Sequence, residues 1–189
     1  MYLEGLRHQV GDPFENVKWE GDDNVCVDFR YSDSEKLTWW FDHHTSAFFT
    51  EELRTHFEGD TSGKKFFDPT ARSCTKYEVD MLEKHFGYQV PPYFEELVHW
   101  ADIIDTANFP DAETAIGLSE PSLQIMMWIE QNTEPSSVHR YIRSLGKKTL
   151  EEIALEPWID DALIPLMDHH RRTIDAISNV AVERGPVTF

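Results

Sequence analysis

The residues of this chain with the clearest chemical potential form the tripeptide Asp42-His43-His44. The tripeptide directly follows residues 37–41, an apolar and aromatic stretch whose composition predicts a buried β-strand. In open α/β sheets, ligands bind outside the carboxyl ends of the strands. A carboxylate and two imidazoles at that point are placed to hold a metal ion, so metal-dependent hydrolysis is the first chemistry that the sequence suggests.

Two further carboxylates lie at the ends of predicted elements. Asp28 follows residues 25–27, a short apolar stretch that predicts a second strand. Asp105 stands near the end of an amphipathic helix, and Asp102 lies one helical turn before it. Carboxylate and imidazole ligands without thiolates suit Mn²⁺, Mg²⁺ or Fe²⁺, and zinc is also compatible. Two such ions about 3.5–4 Å apart can clamp a phosphoryl group, neutralise its charge and generate a hydroxide nucleophile.

Charge and composition limit the classes of partner. The 189-residue chain carries a formal net charge of −18, with 40% hydrophobic and 13% aromatic residues. The hydrophobic content predicts a globular protein with a sizeable core. The acidity disfavours long nucleic acid as a partner, because like charges repel. A small phosphorylated substrate remains compatible, since bound metal ions supply positive charge locally.

The two cysteines, Cys26 and Cys74, lack the CxxC spacing of a zinc site. We interpret Cys26 as a buried strand residue and place Cys74 near the start of a helix. Free thiols without a disulfide framework fit a reducing compartment. The sequence shows neither a signal peptide nor an apolar run of the ~20 residues that span a membrane, so we expect a cytoplasmic protein without a membrane partner.

The hydrophobic pattern mixes strands and helices in the first part of the chain and predicts helices alone in the rest. The first part is expected to contain, besides the two strands above, the end of a helix at residues 2–10, a strand at 16–19, mostly irregular structure at about 45–70, a helix at about 71–86 and a helix from Pro91-Pro92. Later helices are expected to start at Pro121, stop at Gly146, restart at a Thr149–Glu152 capping box and finish over about 159–182.

The expected fold is therefore α/β, with a mainly parallel sheet flanked by helices and a helical C-terminal extension. We assign the α/β core to residues 1–118. Residues 119–189 are expected to form the helical extension of the same domain, ending in a linker-like helix.

The order of these motifs resembles the DHH phosphoesterase superfamily. The resemblance rests on Asp28, then Asp42-His43-His44, then Asp105 in the sequence Asp105-Thr106-Ala107-Asn108-Phe109, and it covers roughly residues 2–110. That superfamily includes RecJ-like exonucleases, oligoribonucleases, cyclic-dinucleotide phosphodiesterases and manganese-dependent pyrophosphatases. The resemblance implies Mn²⁺ as cofactor, with Mg²⁺ or another divalent ion as alternatives. It also implies short oligonucleotides, nucleotides or cyclic dinucleotides as substrates.

The resemblance further implies a role for each site residue. Asp28 would bridge two metal ions, and His43 would ligate one of them. Asp105 would ligate the same ion as His43, with Asp102 as the competing candidate. His44 would face the substrate phosphate, and Asp42 would support the two histidines from behind.

This chain departs from the family pattern at both ends. The family opens with a strand that carries a His/Asp-x-Asp motif, and the nearest local substitute here is His8 with Asp12. The family also continues into a DHH-associated substrate domain, which we do not find. We therefore interpret the chain as truncated at both ends. This leaves open a second hypothesis: a non-catalytic DHH-like module that binds a metal ion or a nucleotide, or that docks as a homodimer or to a strand-donating partner.

A second tripeptide of the same composition, Asp168-His169-His170, has a different context. It lies in a long amphipathic pattern, with His170 on the apolar stripe and Asp168 on the polar face. No predicted strand precedes it. We therefore interpret this tripeptide as part of a helix and not as a metal site.

Overall fold

The computed structural model describes residue 6, residues 11–132 and residues 134–180. The chain divides into two compact units, Met1–Phe109 and Pro110–Phe189. The candidate ligand His8 and, apart from Leu6, the helix expected at residues 2–10 lie outside the described residues, as does the end of the helix expected to reach residue 182.

Within its described residues, the first unit contains a three-stranded parallel sheet and three helices. The strands β1 (Val25–Val27), β2 (Trp39–Asp42) and β3 (Lys65–Phe67) lie in the order β1-β2-β3. The helices are α1 (Glu51–Glu58), α2 (Cys74–Phe86) and α3 (Pro92–Asp105). Residue pairing in the sheet sets Val27 beside Phe41 and Asp42 beside Phe67. The carboxyl ends of all three strands therefore lie at one edge of the sheet, with β2 in the centre.

Aromatic side chains of β2 pack on both faces of this sheet, because successive residues of a strand point to opposite sides. Trp40 is fully buried, and its ring centroid lies 5.3 Å from that of Phe57 in α1. Trp39 lies on the opposite face, 5.1 Å from the ring of Phe86 in α2. A strand that is buried on both faces has a nearly continuous apolar sequence. This packing explains the composition of residues 37–41.

The ends of α2 and α3 follow from local chemistry. The side chain of Ser73 accepts a hydrogen bond from the backbone N–H of Lys76 and so caps the N-terminus of α2. Gly87 ends the helix in the left-handed conformation, with φ of 68°, where a glycine carries no Cβ penalty. Pro92 occupies the first turn of α3, where its missing N–H costs nothing. Both helices confirm the sequence prediction.

Two predictions for the first unit need correction. Residues 45–70 are mostly irregular, as expected, but they also contain α1 and β3, which the sequence pattern does not predict. Strand β3 has only three residues, two of them aromatic, so no alternating pattern could reveal it. The strand expected at residues 16–19 does not form. Instead, Trp19 stacks on Phe14 with ring centroids 5.8 Å apart.

The second unit is helical throughout its described residues. It contains α4 (Ala112–Gly117), α5 (Pro121–Gln131), α6 (Pro135–Leu145), α7 (Leu150–Ala154) and α8 (Pro157–Val180). Its core includes Leu123, Trp128, Ile153 and Ile159, which are all buried. The predicted capping box is present, with the Thr149 hydroxyl accepting from the backbone N–H of Glu152 and the Glu152 carboxylate accepting from that of Thr149.

The architecture is mixed α/β, but the balance differs from the expected mainly parallel sheet. In the part of the chain that the structure describes, helices dominate and the sheet is small. The division between the units follows Phe109, so α4 joins the second unit although we had assigned residues up to 118 to the core. No described helix combines the length and apolar character that crossing a bilayer requires.

Candidate metal centre

Asp42 lies at the carboxyl end of β2 with its side chain fully buried. Its Oδ1 atom accepts hydrogen bonds from the backbone N–H of His43 at 2.8 Å and of His44 at 3.2 Å, and it lies 2.7 Å from His44 Nδ1. Three hydrogen-bond donors to this oxygen compensate for the removal of the carboxylate from water. Asp42 therefore holds the turn after β2 and orients the imidazole of His44.

The ring of His43 is oriented by the chain that precedes α2. Its Nδ1 atom lies 2.9 Å from the carbonyl oxygen of Ala71. Because a carbonyl oxygen only accepts, Nδ1 carries a proton and the neutral ring has its lone pair on Nε2. His43 Nε2 is buried and has no hydrogen-bond partner among the described residues. A backbone carbonyl behind one ring nitrogen and an unpaired second nitrogen are typical of a metal-ligating histidine.

Asp28 follows β1 in an uncommon backbone conformation. Its φ of 54° is left-handed, a region that aspartate visits more readily than most residues with a Cβ. The Asp28 N–H donates to the carbonyl of Phe41 at 2.9 Å, which continues the pairing of β1 with β2 and holds this conformation. The carboxylate Oδ1 atom lies 3.5 Å from His43 Nε2 and 3.6 Å from His44 Nδ1. Local strain at a strand end thus accompanies a carboxylate directed at both imidazoles.

The two candidate aspartates of α3 have different surroundings. Asp105 Oδ2 lies 3.7 Å from His43 Nε2 and accepts a hydrogen bond from the backbone N–H of Cys74 at 3.3 Å. Asp102 Oδ2 instead lies 3.6 Å from Arg72 Nη2. Within the described residues, Asp102 forms an ion pair with neither imidazole of the tripeptide. The structure therefore places Asp105, and not Asp102, beside His43.

The spacing of these groups fits one divalent cation. Asp28, His43 and His44 each offer a ligand atom, and these atoms lie within 4.8 Å of one another. Two ligands bound to one ion at metal–ligand distances of 2.0–2.2 Å lie roughly 3.0–3.6 Å apart, depending on geometry. The distances of 3.5 and 3.7 Å from His43 Nε2 to the carboxylates of Asp28 and Asp105 are close to that separation. His43 Nε2, which is buried and has no hydrogen-bond partner among the described residues, lies within 4 Å of both carboxylates.

His44 presents a different kind of group. The hydrogen bond to Asp42 raises the pKa of the His44 imidazole above its ordinary value, although partial burial opposes the shift. The nearby carboxylates of Asp28 and Asp105 raise this pKa further. The ring is half exposed, and Nδ1 is engaged by Asp42. His44 can therefore carry a proton on Nε2 and donate it in a hydrogen bond to an anion.

Two residues near the site received no role from the sequence. The Cys74 thiol is buried and lies 3.6 Å from the carbonyl oxygen of Phe41, while its N–H binds Asp105. Burial raises the pKa of this thiol, and the carboxylate of Asp28 adds to the shift, so Cys74 is a packing and positioning residue. Arg72 also donates a hydrogen bond to Thr106 Oγ1 at 3.3 Å. The only sequence signal for either residue was its place at a predicted helix start.

The second Asp-His-His tripeptide lies within α8, as the sequence predicted. Asp168 forms an ion pair with Arg172 at 3.1 Å, one helical turn further on. His170 Nε2 lies 2.6 Å from the carbonyl oxygen of Ile116, and His169 is exposed. Because these side chains do not converge, this tripeptide provides a natural control for the one at residues 42–44.

Comparisons with known proteins identify no relative of this chain. No protein-family model, no curated protein and no solved structure matches the chain. Membership of the DHH superfamily therefore stays a prediction that rests on the order of the sequence motifs.

Proposed function

We propose that the first unit is a metal-dependent phosphoesterase domain of the DHH type. It would hydrolyse small phosphodiester or phosphate substrates, such as short oligonucleotides, nucleotides or cyclic dinucleotides, in the cytoplasm. The observation that carries the proposal is the buried and unpaired Nε2 atom of His43, which lies 3.5 Å from Asp28 and 3.7 Å from Asp105. A buried nitrogen with a lone pair and two nearby carboxylates are ligand types that a divalent cation such as Mn²⁺ accepts.

Asp28, His43 and Asp105 are the proposed ligands, and Mn²⁺ or Mg²⁺ is the proposed ion. A bound divalent cation would neutralise phosphate charge and lower the pKa of the attacking water. Ala71 holds the lone pair of His43 toward this position through its carbonyl, and the N–H of Cys74 orients Asp105. These contacts preorganise the ligands before any ion or substrate arrives.

His44 and Asp42 are the proposed groups that act on the substrate. Asp42 accepts from His44 Nδ1 at 2.7 Å and so favours the protonated imidazole. The half-exposed ring can then donate from Nε2 to a phosphate oxygen and stabilise the negative charge that grows as the nucleophile adds. In this role Asp42 acts through His44.

The charge of the chain favours small substrates. With a net charge of −18, the protein repels long polyanions over distances up to the Debye length, which is about 8 Å at physiological ionic strength. A substrate with one or two phosphates can instead be held by the cation and by His44 alone. This inference concerns the size of the substrate and not its identity.

A second candidate function is a non-catalytic binding module, and the free edge of β1 favours it. Strand β1 is an outer strand, and no described strand pairs with its other edge. Val25 and Val27 on this strand are 57% and 45% exposed. An unpaired edge with apolar side chains invites a further strand, from a second copy or from a strand-donating partner. Such docking would occur next to Asp28.

Turnover of bis(p-nitrophenyl) phosphate with added Mn²⁺ tests the catalytic proposal. The wild-type chain is compared with His43→Ala and with the control His169→Ala, which removes the same side chain from the second tripeptide. Turnover that is lost in His43→Ala and retained in His169→Ala supports the proposal. If none of the three proteins turns over the diester at any Mn²⁺ concentration, catalysis by this chain is excluded and the binding module becomes the better hypothesis.

A further inference from the structure

The polar face of α6 bounds a basic groove in the second unit. The groove has a volume of about 500 Å³, and its walls include Arg140, Arg143, Lys147 and Lys148. Arg140 and Arg143 lie three residues apart on one side of α6, and Lys147 and Lys148 follow the end of the helix. The groove is therefore a concave surface on which several cations converge.

One carboxylate orients two of these cations. Glu156 Oε1 lies 2.6 Å from Lys148 Nζ, and Glu156 Oε2 lies 3.4 Å from Arg140 Nη2. The Arg140 guanidinium also lies 4.4 Å from the centroid of the Trp158 ring, and the indole N–H of Trp158 donates to Glu156. These contacts hold Arg140 and Lys148 in place but neutralise only one positive charge.

The other two cations are not neutralised. Neither Arg143 nor Lys147 has an acidic partner among the described residues. The segment 135–150 contains no Asp or Glu, although the chain as a whole has 35 acidic and 17 basic residues. The groove is thus a local excess of positive charge on a strongly acidic protein.

Helix stabilisation does not account for the whole arrangement. A cation in the last turn of a helix is favoured by the helix dipole, which explains Arg143 at the end of α6. That effect fades within one turn and does not require Lys147 and Lys148 beyond the helix or a concave site. Self-repulsion among these side chains costs stability, and a bound anion would relieve it.

We propose that this basic groove binds a compact anion with two or more linked phosphates. Arginine forks and lysine ammonium groups are the donors that phosphate oxygens accept most strongly. The volume lies within the range of about 300–1,000 Å³ that small-ligand sites occupy. A long polyanion would extend beyond the groove and be repelled by a chain whose net charge is −18. The site uses only residues of the second unit and does not depend on the proposed phosphoesterase activity.

Isothermal titration calorimetry of the full chain with inorganic tripolyphosphate tests this proposal. EDTA is present, so that no divalent ion can recruit phosphate to Asp28 and His43. The test variant is Arg143→Glu with Lys147→Glu, which reverses the two unpaired cations. The matched control is Arg171→Glu with Arg172→Glu, two exposed arginines of α8 that lie beside Asp168.

We expect tripolyphosphate to bind the wild-type chain and the control, and to bind the test variant at least about tenfold more weakly, since hydrogen bonds to charged groups are lost. Parallel titrations with a nucleoside triphosphate and with the free nucleoside distinguish a nucleotide ligand from inorganic polyphosphate. Tighter binding of the nucleotide identifies nucleotides as the ligand, and equal binding identifies inorganic polyphosphate. Absence of binding to the wild type, or equal weakening in both double variants while circular dichroism shows both folded, overturns the proposal.

Discussion

The Nδ1 atom of His43 lies 2.9 Å from the carbonyl oxygen of Ala71, so the loop before α2 determines which nitrogen of that imidazole carries the proton. This contact crosses from the end of β2 to the start of α2. It leaves His43 Nε2 buried, unpaired and directed at Asp28 and Asp105. Metal affinity at this centre should therefore depend on the position of α2 as well as on the ligands.

Asp105→Asn should lower the affinity for Mn²⁺ by about tenfold or more, because it removes a charged oxygen beside His43. Asp102→Asn should leave the affinity nearly unchanged, because Asp102 faces Arg72. Electron paramagnetic resonance of free Mn²⁺ measures both affinities without requiring turnover. The two variants are matched in chemistry and lie one turn apart on α3. An equal loss of Mn²⁺ affinity in both variants, or a larger loss in Asp102→Asn, would contradict the assignment of Asp105 as the metal ligand.

Asp42→Asn should lower the pKa of the His44 imidazole, because the hydrogen bond to the Asp42 carboxylate is the main cause of its raised pKa. In the wild type, the stabilisation from this pair is complete below the unfolded pKa of histidine and is lost as pH rises through the raised folded pKa. If protonated His44 assists turnover, activity should fall at a lower pH in the variant. Titration of the His44 ring protons by NMR, with His169 as internal control, checks the direction. A His44 titration curve that is identical in both proteins would refute the pairing.

Both thiols should react slowly in the native protein. Burial, followed by the charges of Asp42 and Asp28, raises the pKa of Cys26 to about 12, and burial also raises that of Cys74. Because the thiolate is the nucleophile, neither cysteine should react quickly with Ellman's reagent at pH 8. Two thiols should become reactive in guanidinium chloride. Fast labelling of Cys74 in native protein would instead show that the region behind Asp105 opens readily.

Trp40→Ala should destabilise the first unit by about 3–5 kcal/mol, the usual cost of removing a buried tryptophan or phenylalanine side chain. Trp40, in the central strand β2, is fully buried, and its indole N–H donates to the carbonyl of Phe29 at 2.9 Å. Phe49→Ala is the control, because Phe49 is 66% exposed and should change stability by about 0.5 kcal/mol or less. Urea unfolding followed by circular dichroism measures both. Similar urea midpoints for the two variants would mean that the packing of Trp40 contributes little to the stability of the first unit.

Several features were predictable because each depends on neighbouring residues. The caps of α2, the proline start of α3 and the Thr149 capping box use contacts within a few residues. Strand β2 was predictable because burial on both faces makes its residues 39–41 uniformly apolar. Strand β3 was missed because three residues, Lys65–Phe67, carry no periodic signal, and their pairing with β2 depends on contacts distant in the chain.

The sequence alone was sufficient to identify Asp28, His43 and His44 as candidate site residues. Carboxylates and imidazoles that follow apolar strands lie at the sheet edge where ligands bind. The sequence could not choose between Asp102 and Asp105, which have the same chemistry and lie one turn apart on the same helix. The packing of α2 against α3 determines which of the two aspartates lies beside His43. Arg72 attracts Asp102 and the N–H of Cys74 binds Asp105, so contacts across more than 25 residues of sequence direct one carboxylate to His43 and the other away from it.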